Sequence, residues 1–197
     1  MSYVVKRQKE LDFSKVQPAY INNYVWGGIY RPAAFAKLVL IEDKGFALQM
    51  TCFEKDPKAV YSNYNDPVWL DSCLEFFASF NNESNLYINL EMNSAGAFLM
   101  GLRESRENKK DSASVADIPK TKVVKTGGTW QVEYFFSFEV LEKLFGKVDY
   151  VSGYTFKGNF YKCGDETDYP HFGMWNPVGT EKPDFHRPEY FGELIIE

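Results

Sequence analysis

The chain of 197 residues predicts an all-β protein, an antiparallel β-sandwich of the immunoglobulin or jelly-roll kind with one or two short helices. Three observations carry that prediction. Short runs rich in Val, Ile, Phe and Tyr recur along the chain; turn-forming residues separate them; and 17% of residues are aromatic, which suits half-buried sheet surfaces. The length fits one generous domain, 1–197, because sandwiches reach this size without splitting.

The elements follow in chain order. "KLVLIEDKGFALQMTCFE" sets Asp43, Lys44 and Gly45 between two strand-like runs, a hairpin signal. "DPVWLDSCLEFFASF", Asp66 to Phe80, reads as a strand with Trp69, Asp71, Cys73, Glu75 and Phe77 on one face. Leu70, Ser72, Leu74 and Phe76 then lie on the other face. "NLYINLEMN" and "AGAFLMGLRES" form a second pair joined at Ser94 to Gly96. The stretch 105–122, polar and almost free of large apolar residues, predicts a long mobile loop. "GGTWQVEYFFSF" alternates after a Gly127-Gly128 turn, and "SFEVLEKLFG" is the best helix signal, with Ser137 as N-cap and Gly146 as the stop. "VDYVSGYTFKGNFYKC" and "YFGELIIE" complete the strands. Between them a loop-like span, 164–188, carries Tyr169, His171, Phe172, Trp175, Phe185 and His186, and aromatic loops often serve binding.

Charge and motifs narrow the function. With 22 Lys and Arg against 27 Asp and Glu the formal net charge is -5, so no basic footprint exists to track nucleic acid. The N-terminus carries charge within its first seven residues, without the apolar core of a secretory signal, and no run approaches the roughly 18 apolar residues of a membrane span. A cytoplasmic protein with no membrane partner is expected. Cys52, Cys73 and Cys163 are odd in number and widely spaced, which predicts three reduced, buried thiols. Catalytic signals are thin: two histidines, no G-x-S-x-G elbow, no P-loop and no Rossmann glycines. Asp165, Glu166 and Asp168 in "CGDETDYPH" are hard oxygen ligands suited to calcium, although a solvated acidic turn is the commoner use of such a cluster. No metal or other cofactor is otherwise called for.

"VWLDSCLEFF" resembles the strand of bacterial family 9 carbohydrate-binding modules that carries a Trp, an Asp-Ser pair and a Glu. "PDFHRPEYFGELIIE" is similar to that family's closing segment, "YINLEMNSAG" to its next strand and turn, and "WQVEYFFSFEVL" to its Trp-bearing strand and short helix. The resemblance implies a β-sandwich that clamps a sugar between two aromatic rings, Trp69 at the first position and Phe185 where a second tryptophan is more usual. It also implies that Glu75 hydrogen-bonds sugar hydroxyls. The family's arginine has no counterpart in "YINLEMN", and its asparagine before the second ring aligns near Lys182.

Elementary chemistry supports such a clamp, since a pyranose has C–H faces that pack on rings and a hydroxyl rim that needs donors and acceptors. Trp69 and Phe185 supply faces; Glu75, Asp71, Asn89, His186, Arg187 and Trp175 are the further candidate ligand-binding residues. Two plainer uses stay open: Trp69 as a core residue between sheets, and Glu75 as an ion-pair partner of Arg187. The expected function is non-catalytic binding of a mono- or oligosaccharide. The alternatives are a haem-binding electron-transfer domain of similar architecture, ligated from Met92, Met100, Met174 and His171, and an orphan glycoside hydrolase accessory protein.

Overall fold

The computed structural model describes residues 1–118 and 120–197. Its strands are β1 (Ser2–Gln8), β2 (Ala19–Ile21), β3 (Asn23–Gly27), β4 (Ala33–Ile41), β5 (Gly45–Phe53), β6 (Cys73–Ser79) and β7 (Tyr87–Asn93), then β8 (Phe98–Arg103), β9 (Lys109–Asp111), β10 (Lys122–Thr126) and β11 (Thr129–Ser137). Helix α1 (Phe138–Phe145) precedes β12 (Thr155–Gly164), β13 (His171–Met174) and β14 (Gly192–Ile196). The order across the sheet is β10-β11-β5-β4-β1-β14-β12-β6-β7-β8-β9, with β2 on β4 and β13 joining β12 to β3.

One strand turns this ribbon into two layers. Ser2–Val5 of β1 pair with β14, whereas Lys6–Gln8 pair with β4, so the sheet folds over along β1. Both pairings are parallel. The antiparallel sandwich predicted from the sequence is therefore mixed at its seam, because β1 joins elements too distant in sequence for a hairpin to connect them. The layers close on Leu38, Leu48, Met50 and Val132 from one side and Leu74, Leu90 and Met92 from the other, all fully buried. Phe76 stacks on Phe160 at 5.0 Å and Phe80 on Phe156 at 5.0 Å. Each such side chain contributes about 1.5–3 kcal/mol by leaving water.

The predicted hairpin is β4–β5, turning at 42–44, and Gly45 belongs there because its φ of 146° and a clash with the Phe136 carbonyl exclude a Cβ. Helix α1 has the predicted boundaries. Ser137 Oγ accepts from the Val140 N–H at 3.2 Å, and Gly146 ends the helix at a φ of 79°. Losing this cap in Ser137→Ala is expected to cost about 1 kcal/mol of stability, measured as a lowered urea midpoint with unchanged slope.

Three expectations need correction. The strand predicted over 66–80 begins only at Cys73; Val68–Leu70 is instead a single 3-10 turn opened by Pro67, which has no N–H for a ladder. Trp69 thus does not share a strand face with Glu75. The stretch 105–122 is not loop throughout: it contains β9, a 3-10 turn at Ser112–Ser114 and the first residue of β10, and Tyr64 donates to Asp111 Oδ1 at 2.6 Å. Pro119 within it lies outside the described residues. The span 164–188 likewise contains β13, paired to β12 through His171–Met174.

Candidate functional site

Beyond Cys73 the alternation holds: Leu74, Phe76 and Ala78 enter the core between the layers, whereas Cys73 and Phe77 join a second apolar cluster on the opposite face. Glu75 belongs to that opposite face by parity, and so do Asn89 and Glu91 of β7 and Tyr161 and Cys163 of β12. Register sets Glu75 directly across from both Glu91 and Tyr161. The turn carrying Trp69 and the segment 183–186 reach over this face, and a cleft of about 330 Å³ remains between them.

The buried part of its lining is Glu75, Phe77, Glu91, Cys163 and Phe185; the more open part includes Trp69, Arg103, Arg106, Asp165, Asp184 and His186. The Cys163 thiol donates to Glu75 Oε1 at 2.8 Å. Asn89 links the other two polar groups, donating from Nδ2 to Glu91 Oε1 at 2.7 Å and accepting from Arg103 Nε at 2.7 Å. Glu91 Oε2 is buried with no partner among the described residues. His186 Nδ1 is 3.1 Å from the Tyr87 hydroxyl, and its ring lies 4.9 Å from Phe77.

Burial, and then the Glu91 charge, push the Glu75 carboxyl well above its ordinary value. Burial also drives Glu91 up to about 7, outweighing Asn89 and Arg103, and Asp165 up to about 6. His186 moves the other way, down to about 3, through burial and then Arg103 and Arg106. The histidine is therefore neutral at pH 7, and the Glu75 and Glu91 carboxyls retain protons there that let them donate as well as accept. A raised carboxyl pKa in the folded state means stability present below the unfolded value of 4.5 and lost as pH rises through about 7. Glu91→Gln, which cannot ionise, is expected to match the wild type at pH 5 and exceed it at pH 8, read from melting temperatures across that range.

Of the residues predicted for the site, Trp69, Phe185, Glu75 and His186 line the cleft together, and Asn89 braces it from behind. Three do not belong to it. Asp71 is fully buried and accepts at Oδ2 from the Val60 and Tyr61 N–H groups and Asn93, pinning the chain before Trp69. Arg187 pairs with Glu189 at 2.6 Å rather than with Glu75. Trp175 is core, its ring edge-on to Phe160 at 5.7 Å. Arg103 and Arg106 were missed; Arg103 shares the parity of Leu99 and Gly101 on β8, which would have pointed it to this face.

The alternative ligand sets are scattered. Met92 and Met100 lie between the layers, and Met174 Sδ accepts from the Val178 N–H at 3.0 Å. Both nitrogens of His171 are engaged, Nε2 with Lys162 at 2.6 Å and Nδ1 with the Tyr169 carbonyl at 2.8 Å. Asp165, Glu166 and Asp168 do not converge as a ligand set among the described residues; Glu166 faces Lys58 at 4.0 Å.

A family model described as carbohydrate-binding family 9 matches residues 6–196. A Bacteroides uniformis protein assigned as carbohydrate-binding is 26% identical over 100% of this chain and 99% of its own, with a TM-score of 0.83. A family 9 module from Caldicellulosiruptor kristjanssonii, solved with cellotriose, is 12% identical over 100% of this chain and 94% of that one, with a TM-score of 0.73. The same organism's module solved with glucose gives 12%, 100%, 96% and 0.72. These last two likenesses are of fold. No curated protein matches the chain.

Proposed function

The chain belongs to carbohydrate-binding family 9, and from that premise we propose that its cleft holds a neutral mono- or oligosaccharide without chemically altering it. The observation that carries this reading is the meeting, in one cleft, of two aromatic rings with a buried carboxyl pair, a guanidinium and a neutral imidazole. Trp69 offers the open ring. Phe185 offers the buried one, held by stacking on Tyr161 at 4.0 Å and 12°. In this reading the sugar's C–H faces pack on the rings while Glu75, Glu91, Arg103 and His186 meet its hydroxyls. Arg103 comes from β8, so it supplies the guanidinium that "YINLEMN" on β7 lacks. Groups able both to donate and to accept suit hydroxyls, which do the same.

Calorimetric titration with glucose, cellobiose, cellotriose and galactose tests the proposal. Saturable heat with at least one sugar is expected, and Glu91→Gln should weaken it by roughly fivefold, equivalent to about 1 kcal/mol for one mismatched hydrogen bond. Absence of saturable binding across neutral sugars, with the protein folded, would overturn the reading.

A further inference from the structure

Cys73 on β6 and Cys163 on β12 are ninety positions apart in sequence yet directly opposed in the antiparallel ladder. Glu75, two residues along β6, shares their face. The two sulfur atoms and a Glu75 carboxylate oxygen all lie within 4.8 Å of one another. From this geometry we propose that Cys73 Sγ, Cys163 Sγ and the Glu75 carboxylate bind one thiophilic divalent cation of the zinc class, with the cleft supplying its fourth position.

The donor set fits that ion. Zinc takes thiolate sulfur at about 2.3 Å and carboxylate oxygen at about 2.0–2.2 Å, which separates tetrahedral ligands by about 3.5–3.8 Å. Side-chain rotation alone can bring three atoms already within 4.8 Å to those separations. Three protein ligands and one open position describe an accessible site rather than a closed structural one. Access exists, since Glu75 and Cys163 line the cleft.

A second observation is a buried acceptor left unpaired in the same cleft. Glu91 lines the same cleft, is only 4% exposed, and its Oε2 has no partner among the described residues, so it is placed to accept from a water on the cation. Simple burial of thiols does not require two cysteines in register beside a carboxyl. Cys52 shows the difference: it is equally buried but lies in the core between the layers, apart from this cluster. Binding is non-redox: two thiol protons, and the Glu75 proton when present, pass to the buffer as two sulfur–metal bonds and one oxygen–metal bond form.

Cobalt(II) titration of the reduced, sugar-free protein tests this independently of any carbohydrate. The expected result is one equivalent producing a thiolate-to-cobalt charge-transfer band in the near ultraviolet and four-coordinate bands in the visible, both abolished by zinc. Cys163→Ser should lose about half of the charge-transfer intensity, and Cys52→Ser none. Cys73→Ser should behave like Cys163→Ser; if it does not fold, Glu75→Gln, which weakens binding while keeping both sulfurs, takes its place. No charge-transfer band in the reduced wild type, or an undiminished one in Cys163→Ser, would overturn the site.

Discussion

Lys162→Met is expected to lower the free energy of unfolding by about 3–5 kcal/mol, the usual cost of leaving one member of a buried ion pair alone. Lys162 is fully buried between the layers, where Nζ lies 3.6 Å from Glu54 Oε2 and donates to Ser72 Oγ and the Cys163 carbonyl, each at 2.9 Å. Glu54 also accepts from Ser72 and from Trp130 Nε1 at 3.1 Å. Methionine keeps the stem's volume but removes the only cation in contact with this carboxylate among the described residues.

A pH signature separates this effect from mere mispacking. Burial alone would raise Glu54, but Lys162, Ser72 and Trp130 hold it below the ordinary carboxylate range, so its ionised form stabilises the fold above pH 4.5 and that contribution fades as pH falls. Burial and then Lys162 depress His171 from 6.5 to about 4, so its contribution is likewise present above 6.5 and lost on acidification. Without Lys162 both shifts shrink. The deficit of Lys162→Met should therefore be largest at pH 7 and narrow by pH 4.5, and Lys162→Met/Glu54→Gln should recover at least half of it. Urea unfolding at both pH values decides the matter; a deficit below 1 kcal/mol, or one unchanged by acid, would count against it.

Local signals were legible in the sequence where structure is local. The hairpin at 42–45, the capped helix from Ser137 to Gly146 and the alternation after Cys73 each depend on residues within a few positions of one another, and each is present as read. What stayed hidden depends on partners far apart in sequence. The fold-over at β1 pairs Ser2 with Glu193, and Lys162 and Glu54, far apart in sequence, meet only where the two layers bury them together. The site divided in the same way. Of the residues lining the cleft, the sequence singled out Trp69, Glu75, Phe185 and His186, whereas placing Arg103 there required knowing that β8 continues the face of β7. Asp71 and Trp175 lie away from the cleft, and a polar residue beside an aromatic, or a tryptophan in a loop, looks the same from sequence whether it faces a cleft or fixes backbone and core.

Trp69→Ala is expected to abolish measurable sugar binding while leaving the fold intact. The indole is 36% exposed and belongs to neither apolar cluster, whereas Trp26, Trp130 and Trp175 are all buried. Its backbone, rather than its ring, ties the turn in place, since the Trp69 carbonyl accepts from the Asp165 N–H at 3.2 Å. Asp71 anchors the same turn from the other side. Truncation therefore removes the open face of the cleft with a stability cost of about 1 kcal/mol or less. Loss of a central aromatic contact costs binding about 2 kcal/mol or more, roughly thirtyfold. Trp175→Ala is the contrasting control: its ring packs on Tyr3 and Phe160, so it should unfold the domain outright. Because Trp69 is the most exposed indole, sugar should shift the wild-type tryptophan emission and leave the emission of Trp69→Ala unmoved. Calorimetry and fluorescence on a folded Trp69→Ala must agree. Retained affinity in that variant would remove the ring from the site, and with it the clamp.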